Sequence, residues 1–265
     1  MRARTVMVLM YHRVGKANNA WEHKYCVSPQ RFAAQMNALA SRGMNAISIH
    51  DFVAWTEGKK ELPDGSFLLT FDDGFRGVRD HALPVLEHHQ WPATVFLVSG
   101  LIGKEDEWTR PFNPDGVTYP LLNAEDIRDM AARGIDFHSH TRTHPSLPTL
   151  DDAQLDDEMT RSKTELENLL GRPVDYLAYP FGHFDERVLQ ASQAAGYRAA
   201  FSVRPGFNDR EMDRFRIRRL DVYGTDTPAM LKRKMHFGSN DGSVFHAMLY
   251  YGKRVLARLG ARGHD

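Results

Sequence analysis

Two adjacent carboxylates, Asp72 and Asp73, follow the apolar run 66–71 in the segment SFLLTFDDG. Like charges this close repel each other unless a positive group lies between them or one carboxyl group stays protonated. A divalent cation is such a group, and it would leave the second carboxylate free to act as a base. Taken alone, an Asp-Asp-Gly sequence is also typical of an ordinary turn.

A pair of histidines in the segment HSHTRTH could supply the other ligands of such a cation. His140 and His144 are spaced so that both imidazoles reach one ion if the segment turns helically. With one carboxylate from another strand end they would form a two-His, one-carboxylate site with open positions. The sequence therefore predicts one divalent metal ion, zinc in the first place, with cobalt, nickel and iron as alternatives.

Short apolar runs alternate with helical patterns, which predicts an α/β fold with a largely parallel sheet. Strands are predicted at 6–11, 66–71, 93–99, 135–140, 175–180 and 198–203, and a short strand leads into a helix within 46–58. Helices are predicted at 28–43, 80–90, 124–134, 150–171 and 185–196. A single-domain (β/α) barrel is the predicted fold, and a doubly wound open sheet is the alternative.

Polar residues stand at the ends of several of these strands. In either fold the functional face lies at the carboxyl ends of the strands. We therefore expect one rim to collect His12, Asp72, Asp73, His138, His140, Tyr179, Pro180 and Phe181. Taken singly, His12 and His138 could each be a satisfied core histidine.

Composition excludes several classes of protein. Lys plus Arg and Asp plus Glu each number 34, so no net charge steers the chain to nucleic acid, and no nucleic-acid partner is expected. The single cysteine, Cys26, excludes an internal disulfide framework. The N-terminal apolar run is too short for a signal peptide, so the expected location is cytoplasmic.

The last part of the chain is predicted to be a helical tail, 236–265, after a catalytic domain formed by 1–235. Within the tail, Phe245, Met248 and Leu249 begin a helical pattern that extends over 243–259. Such a helix could associate weakly with a membrane surface, which would make the protein membrane-peripheral. A closing helix packed on the barrel is the favoured alternative.

Three motifs in this order, TFDDG, HTRTH and YPFG, resemble those of the polysaccharide deacetylases, which are family 4 carbohydrate esterases. The resemblance covers about residues 5–225. It implies a metal-dependent enzyme with a distorted (β/α) barrel that removes acetyl groups from an N-acetylated glycan.

The resemblance also implies roles for single residues. It makes Asp72 the general base, and Asp73, His140 and His144 the metal ligands. It makes the backbone N–H of Phe181 a donor to the oxyanion, within a substrate-binding segment formed by Tyr179, Pro180, Phe181 and Gly182.

The chain departs from the common pattern at two points. Ala178 stands where the third motif usually carries an arginine that pairs with the base, so another arginine would have to supply that charge. The usual C-terminal motif with the catalytic histidine is not evident, and MLKRKMH, which ends at His236, matches it poorly. The opening VLMYHRVG instead resembles the circularly permuted exopolysaccharide and poly-N-acetylglucosamine deacetylases, which implies that His12 is the catalytic acid.

Rival functions use the same residues differently. A deacylase or deformylase of a lipid-linked amino sugar would share the site and differ only in its pocket. A non-haem iron oxygenase could use the same ligand triad, but the chain does not read as the all-β fold expected for that class. A catalytically inactive carbohydrate-binding domain is the third rival, since fold alone fixes function weakly. Aromatic residues of the predicted loops could either stack on sugar rings or pack under a loop: Trp21, Trp108, Phe112 and Tyr119.

Overall fold

The computed structural model describes residues 4–249, and within this range strands and helices alternate as predicted. The strands are β1 (Met7–Tyr11), β2 (Arg13–Val14), β3 (Cys26–Val27), β4 (Asn45–Ile47), β5 (Ser66–Phe71), β6 (Ala93–Leu97), β7 (Ile135–Ser139), β8 (Tyr176–Ala178), β9 (Ala199–Phe201) and β10 (Leu220–Asp221). The α-helices are α1 (Pro29–Ala40), α2 (Ile49–Thr56), α3 (Leu83–His89), α4 (Ala124–Ala132), α5 (Asp152–Leu170), α6 (Glu186–Ala194) and α7 (Pro228–Phe237).

Eight of these strands form one sheet in which every pairing is parallel. The order is β10-β1-β5-β6-β7-β8-β9, and β4 pairs with the first half of β5. The sheet curls so that one segment, 217–221, meets both of its edges: Ile217 bridges Phe201, and Leu220 pairs with Leu9. The predicted single-domain, distorted (β/α) barrel is confirmed, and the doubly wound alternative is wrong.

The two faces of the sheet bury different sets of side chains because successive strand residues point to opposite faces. The convex face packs against α1 and α3 to α7, whereas the concave face packs against α2. On the concave side the Phe201 ring lies 5.2 Å from Phe96 and 6.3 Å from Phe52, measured between ring centroids. Helix α2 therefore fills part of the barrel interior.

Local sequence signals account for several helix ends. Ser28 caps α1 by accepting a hydrogen bond from the N–H of Arg31, and Gly171 ends α5 in the left-handed conformation. The predicted helix 80–90 differs, because it begins as a π turn, Val78–Ala82, before α3. Strand β10 and helix α7 were not predicted from the sequence.

The C-terminal region is described only in part. Helix α7 runs to Phe237, across the predicted boundary at 235/236, and residues 244–249 are helical. The rest of the predicted helix 243–259 lies outside the described residues, so the division into domain and tail stays a prediction. In residues 4–249, no helix has both the length and the apolar character that crossing a membrane requires.

Phe201→Ala tests the packing of the concave face. Because Phe201 is fully buried between Phe96 and Phe52, its loss should lower the free energy of unfolding by about 3–5 kcal/mol in urea denaturation. Phe112→Ala, at a side chain that is 61% exposed, is the matched control and should change stability little. Equal stabilities of the two variants would contradict a packed interior.

Candidate active site

A cavity of about 580 Å³ opens where the strands end at their carboxyl sides. Its lining includes His12, Asp72, Asp73, His140, His144 and Phe181, which come from different strand ends. The expected convergence on one rim therefore holds for these residues and for Tyr179, but Pro180 does not line the cavity. Neither His138 nor His236 is part of the lining.

Asp73, His140 and His144 bring three ligand atoms together in this cleft. Asp73 Oδ1 lies 3.4 Å from the Nε2 atom of each imidazole, and all three side chains are buried. Asp73 Oδ1 and His144 Nδ1 have no hydrogen-bond partner. Ligand atoms of a tetrahedral zinc site with bonds of about 2.0–2.1 Å lie about 3.4 Å apart. The spacing and the unpaired carboxylate oxygen therefore fit a divalent cation.

The orientation of His140 is set by the neighbouring strand. Its Nδ1 atom lies 2.8 Å from the carbonyl oxygen of Ala178, which can only accept a hydrogen bond. Nδ1 therefore carries a proton, and Nε2 is the nitrogen that faces Asp73. The position that lacks the usual arginine side chain thus still contributes to the site through its backbone.

The segment between the two histidines is a loop and not the helical turn that their spacing suggested. Thr141 and His144 both have positive φ, 65° and 63°, which turns the chain without a helix. Glu158, on α5, accepts hydrogen bonds from the backbone N–H groups of Arg142 and Thr143, at 2.8 and 2.9 Å. A buried carboxylate on the convex side therefore holds the loop that presents His144.

Asp72 forms a buried ion pair with Arg219. The guanidinium donates to both carboxylate oxygens, at 2.6 and 2.7 Å, and Arg219 is completely buried. Arg219 thus supplies the positive charge that is missing at position 178. Sequence reasoning missed it because Arg218 and Arg219 stand side by side before a two-residue strand, and no periodic pattern there distinguishes the buried arginine from the exposed one.

The two aspartates are ionised for different reasons. Burial acts to raise the pKa of Asp72, but Arg219, through its charge and its hydrogen bonds, acts together with nearby histidines to hold that pKa below its usual value. Burial likewise opposes ionisation of Asp73, but the interactions with His140 and His144 bring its pKa to about 2. Burial lowers the pKa of His144 to about 3. Asp73 and His144 are therefore in the protonation states that bind metals at neutral pH.

His12 lies half-buried after β1, the strand that pairs with β5, and it lines the cleft. Its ring packs edge-on against Tyr25, with 5.4 Å between centroids. Asp221, paired with Met10 across the β1–β10 ladder, interacts electrostatically with His12 and accepts a hydrogen bond from Asn240 at 2.7 Å. His236, the alternative from the sequence, is exposed on α7.

The YPFG segment forms a short 3-10 turn beside the ligand cluster. Phe181 has a positive φ of 57°, and its ring contacts His144 with 4.6 Å between centroids. Gly182 has no room for a side chain, because an added Cβ would lie 2.3 Å from Val203 Cγ2. Tyr179 is buried, and its hydroxyl donates to the carbonyl oxygen of Phe215 at 3.1 Å. This tyrosine therefore has a structural partner.

Aromatic side chains form much of the cleft wall. Trp108 stacks on the His144 imidazole, with 4.6 Å between centroids and 26° between planes. Tyr119 lies under the guanidinium of Arg13, 3.4 Å from its ring centroid. Trp21 and Phe112 also line the cavity, so all four aromatic residues of the predicted loops face this cleft.

Comparison with known proteins identifies one family. The model of the family "Polysaccharide deacetylase" matches residues 59–200. A Bacillus subtilis protein named as a polysaccharide deacetylase, YxkH, is 27% identical over 215 residues, which are 81% of this chain and 70% of that protein. The poly-β-1,6-N-acetyl-D-glucosamine N-deacetylase of Staphylococcus aureus is 25% identical over an alignment 238 residues long that covers 80% of this chain and 79% of the relative.

Solved structures show the same fold. The Streptococcus pyogenes deacetylase PplD, in complex with acetate, superposes with a TM-score of 0.74 at 22% identity. The match covers 87% of this chain and 98% of that one. At this identity the similarity shows the shared fold alone.

Arg219→Gln tests the ion pair. Loss of the guanidinium should raise the pKa of Asp72, because burial then acts without the opposing charge, and a carboxyl titration followed by NMR measures this shift. Removing one partner of a buried pair should also cost about 3–5 kcal/mol of unfolding free energy. Arg218→Gln, the same change at the exposed neighbouring residue, should do neither. An unchanged Asp72 titration in Arg219→Gln would show that another group holds this carboxylate ionised.

Proposed function

The chain belongs to the polysaccharide deacetylase family, and we propose that it is a metal-dependent hydrolase that removes N-acetyl groups from an amino sugar in a polysaccharide or other glycan. The observation that carries the proposal is the pairing of two unlike carboxylates in one cleft. Asp73 faces two imidazoles through an unpaired oxygen, and Asp72 is held ionised by Arg219. Amide hydrolysis needs such a combination of a cation site and an adjacent base.

Asp73, His140 and His144 would hold the divalent cation. Two nitrogen ligands and one carboxylate, with open positions on the cleft side, favour zinc, and cobalt, nickel and iron are compatible with the same ligands. A cation bound there would act as a Lewis acid toward the acetyl carbonyl group. His140 keeps its orientation through the Ala178 carbonyl, so the ligand set is organised before substrate binds.

Asp72 would act as the general base. Each of its carboxylate oxygens accepts one hydrogen bond from Arg219 and has a second lone pair, and Asp72 lines the cleft. Because Arg219 lowers its pKa, Asp72 is ionised at neutral pH and can take a proton from the water that attacks the acetyl carbon. Arg219 acts through Asp72 and is therefore a positioning residue.

The YPFG segment would stabilise the charge that develops on the acetyl oxygen. We assign this role to the backbone N–H of Phe181, as the family motif implies, because a fixed N–H donor stabilises an oxyanion better than it stabilises a neutral carbonyl. The left-handed backbone of Phe181 sets the direction of this peptide group, and the contact of Gly182 with Val203 leaves the turn little freedom.

His12 would donate a proton to the leaving amine. An amide nitrogen is a poor leaving group unless it is protonated as the C–N bond breaks. His12 lines the same cleft as the ligand cluster and interacts electrostatically with the carboxylates of Asp72, Asp73 and Asp221. The products would be acetate and a free amino sugar.

The cleft wall suits a glycan. Trp21, Trp108, Phe112 and Tyr119 line it, and aromatic faces stack on the apolar faces of pyranose rings. The name of the Staphylococcus aureus relative gives its substrate as poly-β-1,6-N-acetyl-D-glucosamine. We therefore propose β-linked N-acetylglucosamine oligomers as the first substrates to test, β-1,6-linked before β-1,4-linked.

Acetate release separates the roles of the two aspartates. The zinc-loaded protein should release acetate from an N-acetylglucosamine oligomer. Asp73→Asn should lose the zinc of the cleft and, with it, the activity. Asp72→Asn should keep the zinc and lose about 10²–10⁴-fold in rate, because it removes a base and not a ligand.

Three results would contradict the proposal. Full zinc retention in Asp73→Asn, His140→Gln and His144→Gln would remove the ligand assignment. Formate or a longer acid as the sole product would favour the deformylase or deacylase alternative, and no hydrolysis by any zinc-loaded preparation would favour a binding domain.

His12→Ala tests the catalytic acid. Turnover of the N-acetylated sugar should fall strongly while bound zinc stays unchanged. Hydrolysis of an activated aryl acetate should suffer much less, because a phenolate leaves without protonation. His236→Ala is the matched control and should leave both rates near wild type. If His236→Ala lost turnover of the N-acetylated sugar while His12→Ala kept it, the catalytic acid would be His236 on α7.

A further inference from the structure

A second cluster of ligand-type side chains lies inside the fold, away from the cleft. His50 stands in the first turn of α2, and Asp136 and His138 stand on β7 with their side chains on the same face. Among residues 4–249, two groups have the composition and spacing of a metal site: this cluster and the cleft triad. The nearest members of the two clusters, His138 and His140, are two residues apart, about 7 Å along a strand, and the clusters share no residue.

The distances in this cluster resemble those in the cleft. Asp136 Oδ2 lies 2.9 Å from His50 Nε2 and 3.4 Å from His138 Nε2. One ligand atom from each residue lies within 4.8 Å of the other two. Two imidazoles and one carboxylate oxygen are therefore arranged around one point.

His138 gives an independent indication that a ligand belongs there. It is completely buried, and neither of its ring nitrogens has a hydrogen-bond partner. The Phe96 residue beside it in the sheet and the Tyr176 ring, 4.5 Å away between centroids, offer it mainly apolar surroundings. Buried imidazole nitrogens are normally paired, so a group that binds Nε2 would satisfy an otherwise unmet requirement.

Neighbouring groups orient the ligands without occupying the shared point. Arg172 and the N–H of Phe137, the latter at 3.0 Å, both donate to Asp136 Oδ1, which leaves Oδ2 toward the histidines. The hydroxyl of Tyr176 lies 3.3 Å from Nδ1 of His50, which leaves Nε2 of that ring toward Asp136. Contacts of this kind on the outer atoms are typical of metal ligands.

We propose that His50, Asp136 and His138 bind a second divalent cation, with zinc as the best match, which joins α2 to β7. Two imidazoles and a carboxylate are zinc ligands, and the His50 side chain, 55% exposed, leaves one side open for a water ligand. The cation would connect the helix on the concave face to the strand that also ends in His140. Its role would be structural, because no described residue of the cluster lines the cleft.

The rival interpretation is a proton in place of the cation. His50, Asp136 and His138 would then form a hydrogen-bonded chain, balanced by the positive charge of Arg172. This chain would hold the same residues together but would bind no zinc. Metal stoichiometry therefore decides between the two.

The test measures zinc per chain in the full-length protein, stripped with a chelator, reloaded with zinc alone and dialysed. Wild type should hold two equivalents. The double variant Asp73→Asn, His144→Gln should hold one equivalent, and His50→Gln alone should also hold one. The triple variant that combines all three substitutions should hold none. His23→Gln, at an exposed histidine outside both clusters, is the matched control and should hold two.

Thermal unfolding gives a second readout that does not depend on the cleft. In the Asp73→Asn, His144→Gln background, zinc should raise the melting temperature, because a ligand that binds the folded state alone stabilises it. Adding His50→Gln or Asp136→Asn should abolish that rise, and both residues are less buried than His138, so these variants should fold. One equivalent in wild type, an unchanged content in His50→Gln, or loss of an equivalent in His23→Gln would overturn the proposal.

Discussion

The repulsion between two adjacent carboxylates is the constraint around which the cleft is organised. Asp72 and Asp73 are both buried, and each would be costly there as an isolated charge. The fold resolves the conflict by giving them different partners, a guanidinium for Asp72 and two imidazoles for Asp73. Arg219 pairs with Asp72, whereas His140 lies near both carboxylates, with its Nε2 atom 3.4 Å from Asp73 and 3.9 Å from Asp72.

Barrel closure makes this division possible. The segment that carries Arg219 touches both edges of the curled sheet, through Ile217 and Leu220. Its guanidinium therefore enters the barrel interior, near the rings of Phe96 and Phe201. The low polarity of those neighbours strengthens the pairing with Asp72 and makes an unpaired charge at either position expensive. Arg219 therefore contacts the aromatic rings of the concave face and also pairs with the ionised Asp72.

Strained backbone is concentrated at the cleft. Of the five non-glycine residues with positive φ in residues 4–249, four belong to the cleft or its loops: Asp73, Thr141, His144 and Phe181. Such conformations cost about 1–3 kcal/mol each and persist where the surrounding contacts over-determine them. Here those contacts include Glu158 on the loop before His144 and Val203 against Gly182. Contacts from the surrounding helices and strands therefore hold the cleft loops in these conformations.

The sequence alone determined the longer strands, several helix caps and the placement of polar residues at strand ends, because apolar periodicity and capping chemistry act over a few residues. It predicted the run 66–71 with its two aspartates and the convergence of His12 with the histidines of HTRTH. The tertiary structure decided the partner of Asp72, since Arg219 is 147 residues away and precedes a strand too short to show a period. It also decided that His138 lies with His50 and not with His140. The alternation of residues along a strand gives the face of the sheet on which a side chain lies. Only the packing of distant elements determines which side chains it contacts on that face.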